Sequence, residues 1–315
     1  MSDDILIKVE QLSRHYGPIE AVRNISFELR RGEVLGFLGP NGAGKSTTMQ
    51  MLGGNLAPSE GQISIGQHDI LDEPQAAKKA MGYLPEQPPL YTDLTVDEYL
   101  RYCGHLHHLH GEALKAALTR ARQRCGLDDV GRRLIGNLSK GYQQRVGIAQ
   151  AIIHSPDVVI LDEPTVGLDP IQIREIRNLI REIGQEHSVL LSTHILPEVQ
   201  STCDRVIIIN RGEIALSDTM SNLDDNTKIN SVRVSLQQDD AAEKLMTLNG
   251  VERVEILDTG YRLHGELDTA GIANDIVKNG WGLTELVPER RTLEQIFIDI
   301  TCNEEADQQT DEAAA

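Results

Sequence analysis

The segment Gly39-Pro-Asn-Gly-Ala-Gly-Lys45-Ser46 directly follows the apolar run Glu33-Val-Leu-Gly-Phe-Leu38 and precedes a helix-forming stretch. A G-x-x-x-x-G-K-[ST] pattern in that setting commits the chain to a buried strand, a tight glycine turn and a helix, which together hold the phosphates of a nucleoside triphosphate. Glycines let successive backbone N–H groups turn inward without Cβ clashes, and the helix that opens near Lys45 aims its positive end at the same anion. The binding set is therefore Gly39, Pro40, Asn41, Gly42, Ala43, Gly44, Lys45, Ser46 and Thr47. Lys45 reaches the β and γ oxygens, the Ser46 hydroxyl suits Mg²⁺, and Thr47 supports it from the first helical turn.

The other half of such a site is Val158-Val-Ile-Leu161-Asp162-Glu163-Pro164. An apolar strand that ends in two carboxylates delivers both at its exposed end. Asp162 suits Mg²⁺, directly or through water, and Glu163 suits a general base acting on the attacking water. Continuous apolar runs recur at Val189 to Leu191 and Val206 to Ile209, separated by helical segments near Ile171 to Ile183 and Pro197 to Thr202. Strands of that kind are buried on both faces, so the core is expected to be a parallel α/β sheet. Short β-rich runs before Ile70 (Ile5 to Val9, Ile25 to Leu29, Gln62 to Ile65) suggest a strand-rich lobe. From about residue 92 to 155 the apolar spacing of three and four suggests an inserted helical subdomain.

After about Met220 the pattern changes. Strands at Ser231 to Leu236, Val251 to Leu257, Tyr261 to His264 and Gly282 to Val287, with helices at Asp239 to Leu248, Thr269 to Lys278 and Leu293 to Ile300, suggest a small split-βαβ domain. The tail 303–315 is acidic, poor in apolar residues and expected to be disordered. The chain carries a formal charge of −18, of which residues 221–315, with 20 acidic and 8 basic side chains, hold −12. That balance opposes nucleic-acid binding and direct adhesion to anionic lipid, so membrane contact is expected only through another protein. The start, Met-Ser-Asp-Asp-Ile, has no basic region, and no apolar run approaches the ~18 residues of a spanning helix, so the chain is expected to stay in the cytosol. Cys103, Cys125, Cys203 and Cys302 are scattered, as reduced thiols would be.

Between the two halves of the site lies Asn137-Leu-Ser139-Lys140-Gly141-Tyr142-Gln-Gln-Arg145. This resembles the signature motif of ABC-type ATPases, usually Leu-Ser-Gly-Gly-Gln, with Lys140 at the first Gly and Tyr142 at the Gln. A helix capped by Ser139 would offer a hydroxyl and free N–H groups to a γ-phosphate. The resemblance runs from about Ile5 to Leu216 and implies several roles. Tyr16, in Arg14-His-Tyr-Gly17, looks like the aromatic that stacks on adenine. Gly167-Leu-Asp-Pro170 matches the loop that crosses the dimer interface, and His194, in Ser192-Thr-His194, matches the switch histidine that contacts the γ-phosphate. In Met81-Gly-Tyr-Leu-Pro85-Glu86-Gln87, the Mg²⁺-sensing glutamine of the family is met by Glu86 or Gln87. Ser139 and Gly141 are implied to act on ATP held by a second, head-to-tail subunit.

The same resemblance implies a P-loop NTPase parallel-sheet core with an antiparallel β lobe and an inserted helical subdomain in residues 1–219. A small α+β accessory domain follows in residues 220–302. It also implies a subunit that binds and hydrolyses ATP, with Mg²⁺, on the cytoplasmic side of the inner membrane, peripheral to separate integral-membrane permease subunits. The segment Pro85 to Tyr91 and the stretch ending Pro288 to Phe297 look like the drug- and gliding-motility-type exporter ATPases, favouring export over import. The alternative is a soluble ABC ATPase on a nucleic-acid or ribosome complex. Chromosome-type members, however, insert a long coiled coil that is absent between Lys45 and Asp162, and translation-type members carry two cassettes. The tract His105, His107, His108 and His110 invites a zinc reading, with His105 and His108, or His107 and His110, on one helical face. No carboxylate or thiolate completes a shell, so a solvated helix face is expected and no metal beyond Mg²⁺.

Overall fold

A computed structural model describes residues 4–225, 231–236, 241–257, 259–265, 267–289 and 293–301. The acidic tail and Cys302 lie outside the described residues. The chain divides into two compact units, Met1–Met220 and Ser221–Ala315.

In the first unit, β1 (Ile5–Tyr16), β2 (Ile19–Arg30), β3 (Val34–Leu38), α1 (Lys45–Leu52), β4 (Glu60–Ile65), β5 (His68–Asp69), α2 (Pro74–Ala80) and β6 (Met81–Leu84) follow in order. Helices α3 (Val96–Leu106), α4 (Gly111–Cys125) and α5 (Lys140–Ile152) come next. After them run β7 (Val158–Asp162), α6 (Pro170–Gly184), β8 (Ser188–Thr193), α7 (Leu196–Thr202), β9 (Arg205–Asn210) and β10 (Glu213–Thr219), and α8 (Met220–Asp225) starts at the last residue of this unit and runs on into the second. One sheet is antiparallel in the order β2-β1-β4-β5. The other has the order β10-β9-β3-β8-β7-β6, parallel except where β10 runs against β9.

Every residue of β3, β7 and β8 is buried, as uninterrupted apolar strands between two covering layers require. By contrast β10 alternates exposed and half-buried positions and closes one edge, turning from β9 through Arg211 and Gly212 with φ of 48° and 84°. Two positive φ angles in a two-residue connection match the right-handed twist of the flanking strands. Strands β6 and β10 were not separable in the sequence, β6 because it has only four residues and one is Gly82. A Cβ there would sit 1.9 Å from the Ala151 carbonyl, so the glycine is what lets β6 lie against α5. Side chains from both sheets and from α1, including Ile7, Leu29, Phe37, Met49, Leu52 and Ile160, form one core. Each such burial contributes ~1.5–3 kcal/mol.

In the helical part, Thr95 and Glu98 cap α3 reciprocally and Gly126, at φ 63°, ends α4. The histidine tract departs from the expected helical face. Helix α3 stops at Leu106 and His108 has φ 59°, so the i, i+3 pairings do not form. Instead His105 Nδ1 lies 3.3 Å from His110 Nδ1, and the half-buried His107 ring stacks on His154 with centroids 3.6 Å apart.

The second unit holds β11 (Ser231–Leu236), α9 (Ala242–Leu245), β12 (Val251–Leu257), β13 (Gly260–Gly265), α10 (Thr269–Lys278) and β14 (Leu283–Glu289), then a helix over 293–301. Its antiparallel sheet has the order β12-β13-β11-β14, so β13 lies between the two strands joined through α9. Val232, Val234, Leu263, Ile272 and Ile276 fill its core. The expected helix over Asp239 to Leu248 is observed only as Ala242–Leu245, with 237–240 outside the described residues.

Candidate nucleotide site

Register brings the site together at the carboxyl ends of the parallel strands. Leu38 lies opposite Thr193, Ser192 opposite Asp162 and Leu161 opposite Leu84. The segments that follow, Gly39–Gly44, His194, Glu163 and Pro85–Gln87, therefore leave the sheet side by side, where open α/β sheets bind ligands.

The loop glycines are fixed by space and by backbone angle. A Cβ on Gly39 would meet the Ile209 carbonyl at 2.5 Å, and one on Gly44 the Ala21 carbonyl at 2.6 Å, while Gly42 and Gly44 have φ of 81° and 105°. The loop carbonyls are already engaged. Lys45 Nζ donates to the Gly39 oxygen at 2.9 Å and the Pro40 oxygen at 3.1 Å, and the Ala43 oxygen accepts from Gly212 N at 2.9 Å. Thr48, which the motif does not specify, donates to the Gly44 oxygen at 2.9 Å and locks the first turn of α1. A cavity of about 320 Å³ is left, lined by Asn41, Gly42, Gly44, Lys45, Ser46 and Thr47 on one side and by Ala21, Glu86, Glu163, Val166 and His194 on the other.

Glu163 is 5% exposed and sits between two cations or donors, with Oε1 3.4 Å from Lys45 Nζ and Oε2 2.9 Å from His194 Nδ1. Its φ of 48° is in the left-handed region, which costs a non-glycine residue ~1–3 kcal/mol. The Glu163 N–H donates to the Ser192 oxygen at 2.9 Å and helps hold that turn. A strained residue retained between reactive partners is a common signature of a functional site. Asp162, 2% exposed, has its carboxyl pushed up to about 6, chiefly by burial. The Ser192 hydroxyl opposes that shift, Glu163 and Glu86 add to it, and Lys45 counters them. Its Oδ1 is buried with no hydrogen-bond partner among the described residues. Ser46 and Asp162 line one adjoining cavity, together with Glu86, Gln87 and Tyr83. An orphaned carboxylate oxygen on one lining residue and a hydroxyl on another are oxygen donors of the kind that fit Mg²⁺. Glu86 borders both cavities and Gln87 only the second.

Two groups of expected residues lie apart from this cavity. Ser139 caps α5, accepting from Tyr142 N at 3.4 Å, and lines a separate cavity with Gly141, Tyr142, Arg145, Gln172 and Glu175. Tyr16 ends β1 at the hairpin whose other strand supplies Ala21, is 45% exposed, and carries the Arg14 guanidinium 4.8 Å from its ring centre. Sequence reading passed over Glu198, Thr165 and Thr193. Glu198 is 1% exposed on a short helix where a carboxylate ordinarily faces water, and nothing in its sequence neighbourhood signals burial.

Comparison with known proteins agrees with this geometry. The family model described as ABC transporter matches residues 22–166. The linearmycin resistance ATP-binding protein LnrL of Bacillus subtilis is 33% identical over 307 residues, covering 94% of this chain and 98% of the relative. The bacitracin transport ATP-binding protein BcrA of Bacillus licheniformis is 32% identical over 300 residues, covering 93% and 96%. A solved ATP-binding subunit of an ABC transporter superposes with a TM-score of 0.64 at 32% identity, over 70% of this chain and 92% of that one. With the phosphate loop, the Asp162-Glu163 strand end and His194 gathered at one sheet edge, the chain belongs to the ABC transporter ATP-binding proteins, the subunits that bind and hydrolyse ATP for transport.

Proposed function

We propose that the cavity seats ATP with its β and γ phosphates on the Gly42 to Thr47 amides and the Lys45 ammonium, and that Glu163 is the general base. The observation that carries this is the Glu163 carboxylate, buried, strained and held between Lys45 and His194. A water oxygen attacks the γ phosphorus in line, the bond to the β–γ bridging oxygen breaks, and the water proton passes to Glu163. The His194 ring N–H holds the other carboxylate oxygen and turns the base toward the water. Bound Mg²⁺ would be held by Ser46 and Asp162, with Glu86 or Gln87 from the same cavity lining, and would neutralise charge on the β and γ phosphates. Tyr16 is assigned to the adenine. Ser139 and Gly141 are assigned to the ATP of a head-to-tail partner, a reading supported by their separation from the cavity of their own chain.

Proton competition at Asp162 gives a direct test. The ionised carboxylate binds metal, so Mn²⁺ affinity, read by electron paramagnetic resonance, should be flat above pH ~6 and weaken ~tenfold per unit below it. Asp162→Asn should bind Mn²⁺ weakly with no such slope. An unchanged slope in that variant would remove Asp162 from the metal site.

We further infer that the chain works on the cytoplasmic face of the cell membrane, driving export of a drug-like molecule through separate permease subunits. The resistance and transport roles in the names of the relatives support this, and no described helix is long and apolar enough to cross a membrane. Purifying the tagged chain from detergent-solubilised membranes should recover an integral-membrane permease. Recovery of ribosomal or nucleic-acid complexes would favour the alternative. We assign residues 221–315 an accessory role, because the phosphate loop, both carboxylates and His194 all lie in the first unit. Removing them should leave ATP binding intact while altering dimer stability, and loss of nucleotide binding in a folded truncation would contradict that boundary.

A further inference from the structure

We propose that Glu198 is a positioning residue that sets the Glu163–His194 pair and ties it to the loop entering α6. It rests on the reading that this pair carries hydrolysis. Glu198 is a fully buried carboxylate with three partners from three segments. Its Oε2 accepts from Thr193 Oγ1 at 2.8 Å, its Oε1 accepts from Thr165 Oγ1 at 2.5 Å, and Arg177 lies 3.6 Å from the same Oε1.

Thr193 and Thr165 lie next to the reacting groups along the chain, and Arg177 lies on α6. Thr193 is the last residue of β8, one position before His194, and its hydroxyl oxygen also accepts from Ile195 N at 3.0 Å, so the turn that carries His194 closes around it. Thr165 lies two residues after Glu163 on the segment leading to Gly167 and Asp169. Arg177 is on α6, which Asp169 caps by accepting from Ile171 N and Gln172 N. Glu198 itself sits in the first turn of α7, four residues after His194.

Hydroxyl-to-carboxylate hydrogen bonds are short and about twice as strong as neutral ones, and burial removes competing water. One anion thus fixes the spacing of the two backbone segments whose ends carry the base and its orienting histidine. Remote misplacement of reacting groups by ~1 Å can lower turnover ~100-fold. Because neither Glu198 nor its partners Thr193, Thr165 and Arg177 line the cavity, its loss should act on turnover and spare binding.

The test is steady-state ATPase kinetics on the full chain, with affinity for a fluorescent ATP analogue measured alongside. Glu198→Ala should lower kcat ~10- to 100-fold with KM nearly unchanged. Glu198→Gln, which can still accept from one threonine, should recover part of that loss. His194→Ala should cost far less in the Glu198→Ala background than alone, because the histidine is already misplaced. If Glu198→Ala does not fold, the isosteric Thr193→Val and Thr165→Val variants, each removing one arm, should show the same kcat-selective loss. Wild-type kcat in the Glu198 or both threonine variants overturns the proposal, as does a parallel loss of nucleotide affinity or full additivity with His194→Ala. If instead Glu163→Gln hydrolyses ATP normally, the underlying reading of the pair fails, which is a separate outcome.

Discussion

Glu163→Gln is expected to lower kcat by ~10²- to 10⁴-fold while leaving ATP affinity near wild type, since a general base contributes a factor of that order. The substitution keeps the shape of a side chain that is almost wholly buried, so the cavity floor survives. It removes the proton acceptor. The amide must also choose its orientation: its oxygen serves the Lys45 ammonium on one side, which leaves its NH₂ facing His194 Nδ1 on the other. The histidine can answer only by presenting that nitrogen as an acceptor, so the ring loses the tautomer that fits the carboxylate. With ATP and Mg²⁺ present, the unreacted triphosphate should hold two subunits together, visible as a dimer by size-exclusion chromatography. A monomer that still hydrolyses ATP at the wild-type rate would argue against both roles.

Much of this site was legible because its chemistry imposes local sequence rules. The glycines at 39, 42 and 44 answer to a neighbouring carbonyl or a positive φ, constraints that act on single residues and leave a recognisable spacing. The apolar runs of β3, β7 and β8 were readable because a strand buried on both faces has no polar alternation to confuse it with an edge. The split-βαβ arrangement after Met220 was visible for a related reason, since β11 and β13 begin with alternating half-buried and buried positions in short, turn-bounded runs.

What was not legible depends on contacts between distant segments. The burial of Glu198 arises only when β8, α6 and the Thr165 segment converge, and as a sequence it reads as a polar residue on a seven-residue helix. The histidine tract failed as a helix face because α3 ends one residue before His107, whose ring then finds His154 from another segment. Glu86 and Gln87 are adjacent in sequence and differ only in which cavity they border, a distinction made by the path of the chain after β6.

The second large effect concerns the composite site. Lys45→Ala removes the cation that bridges the loop carbonyls and Glu163, and should abolish most triphosphate affinity and turnover. Ser139→Arg should be equally inactive for a different reason, by crowding the α5 N-terminus with a bulky cation while leaving the phosphate cavity of its own chain untouched. In a head-to-tail pair made of one subunit of each kind, both defects fall in the same composite site. The other site then keeps an intact Lys45 and an intact Ser139.

The most direct measurement is therefore the ATPase rate of that mixed heterodimer, isolated through two different tags, against a control heterodimer of wild type with the Lys45→Ala, Ser139→Arg double variant, in which each site carries one defect. The complementing pair is expected to regain a substantial share of the turnover of one wild-type site, and the control to stay near the background of the single variants. Equal rates in the two heterodimers would contradict the assignment of Ser139 and Gly141 to the partner's ATP.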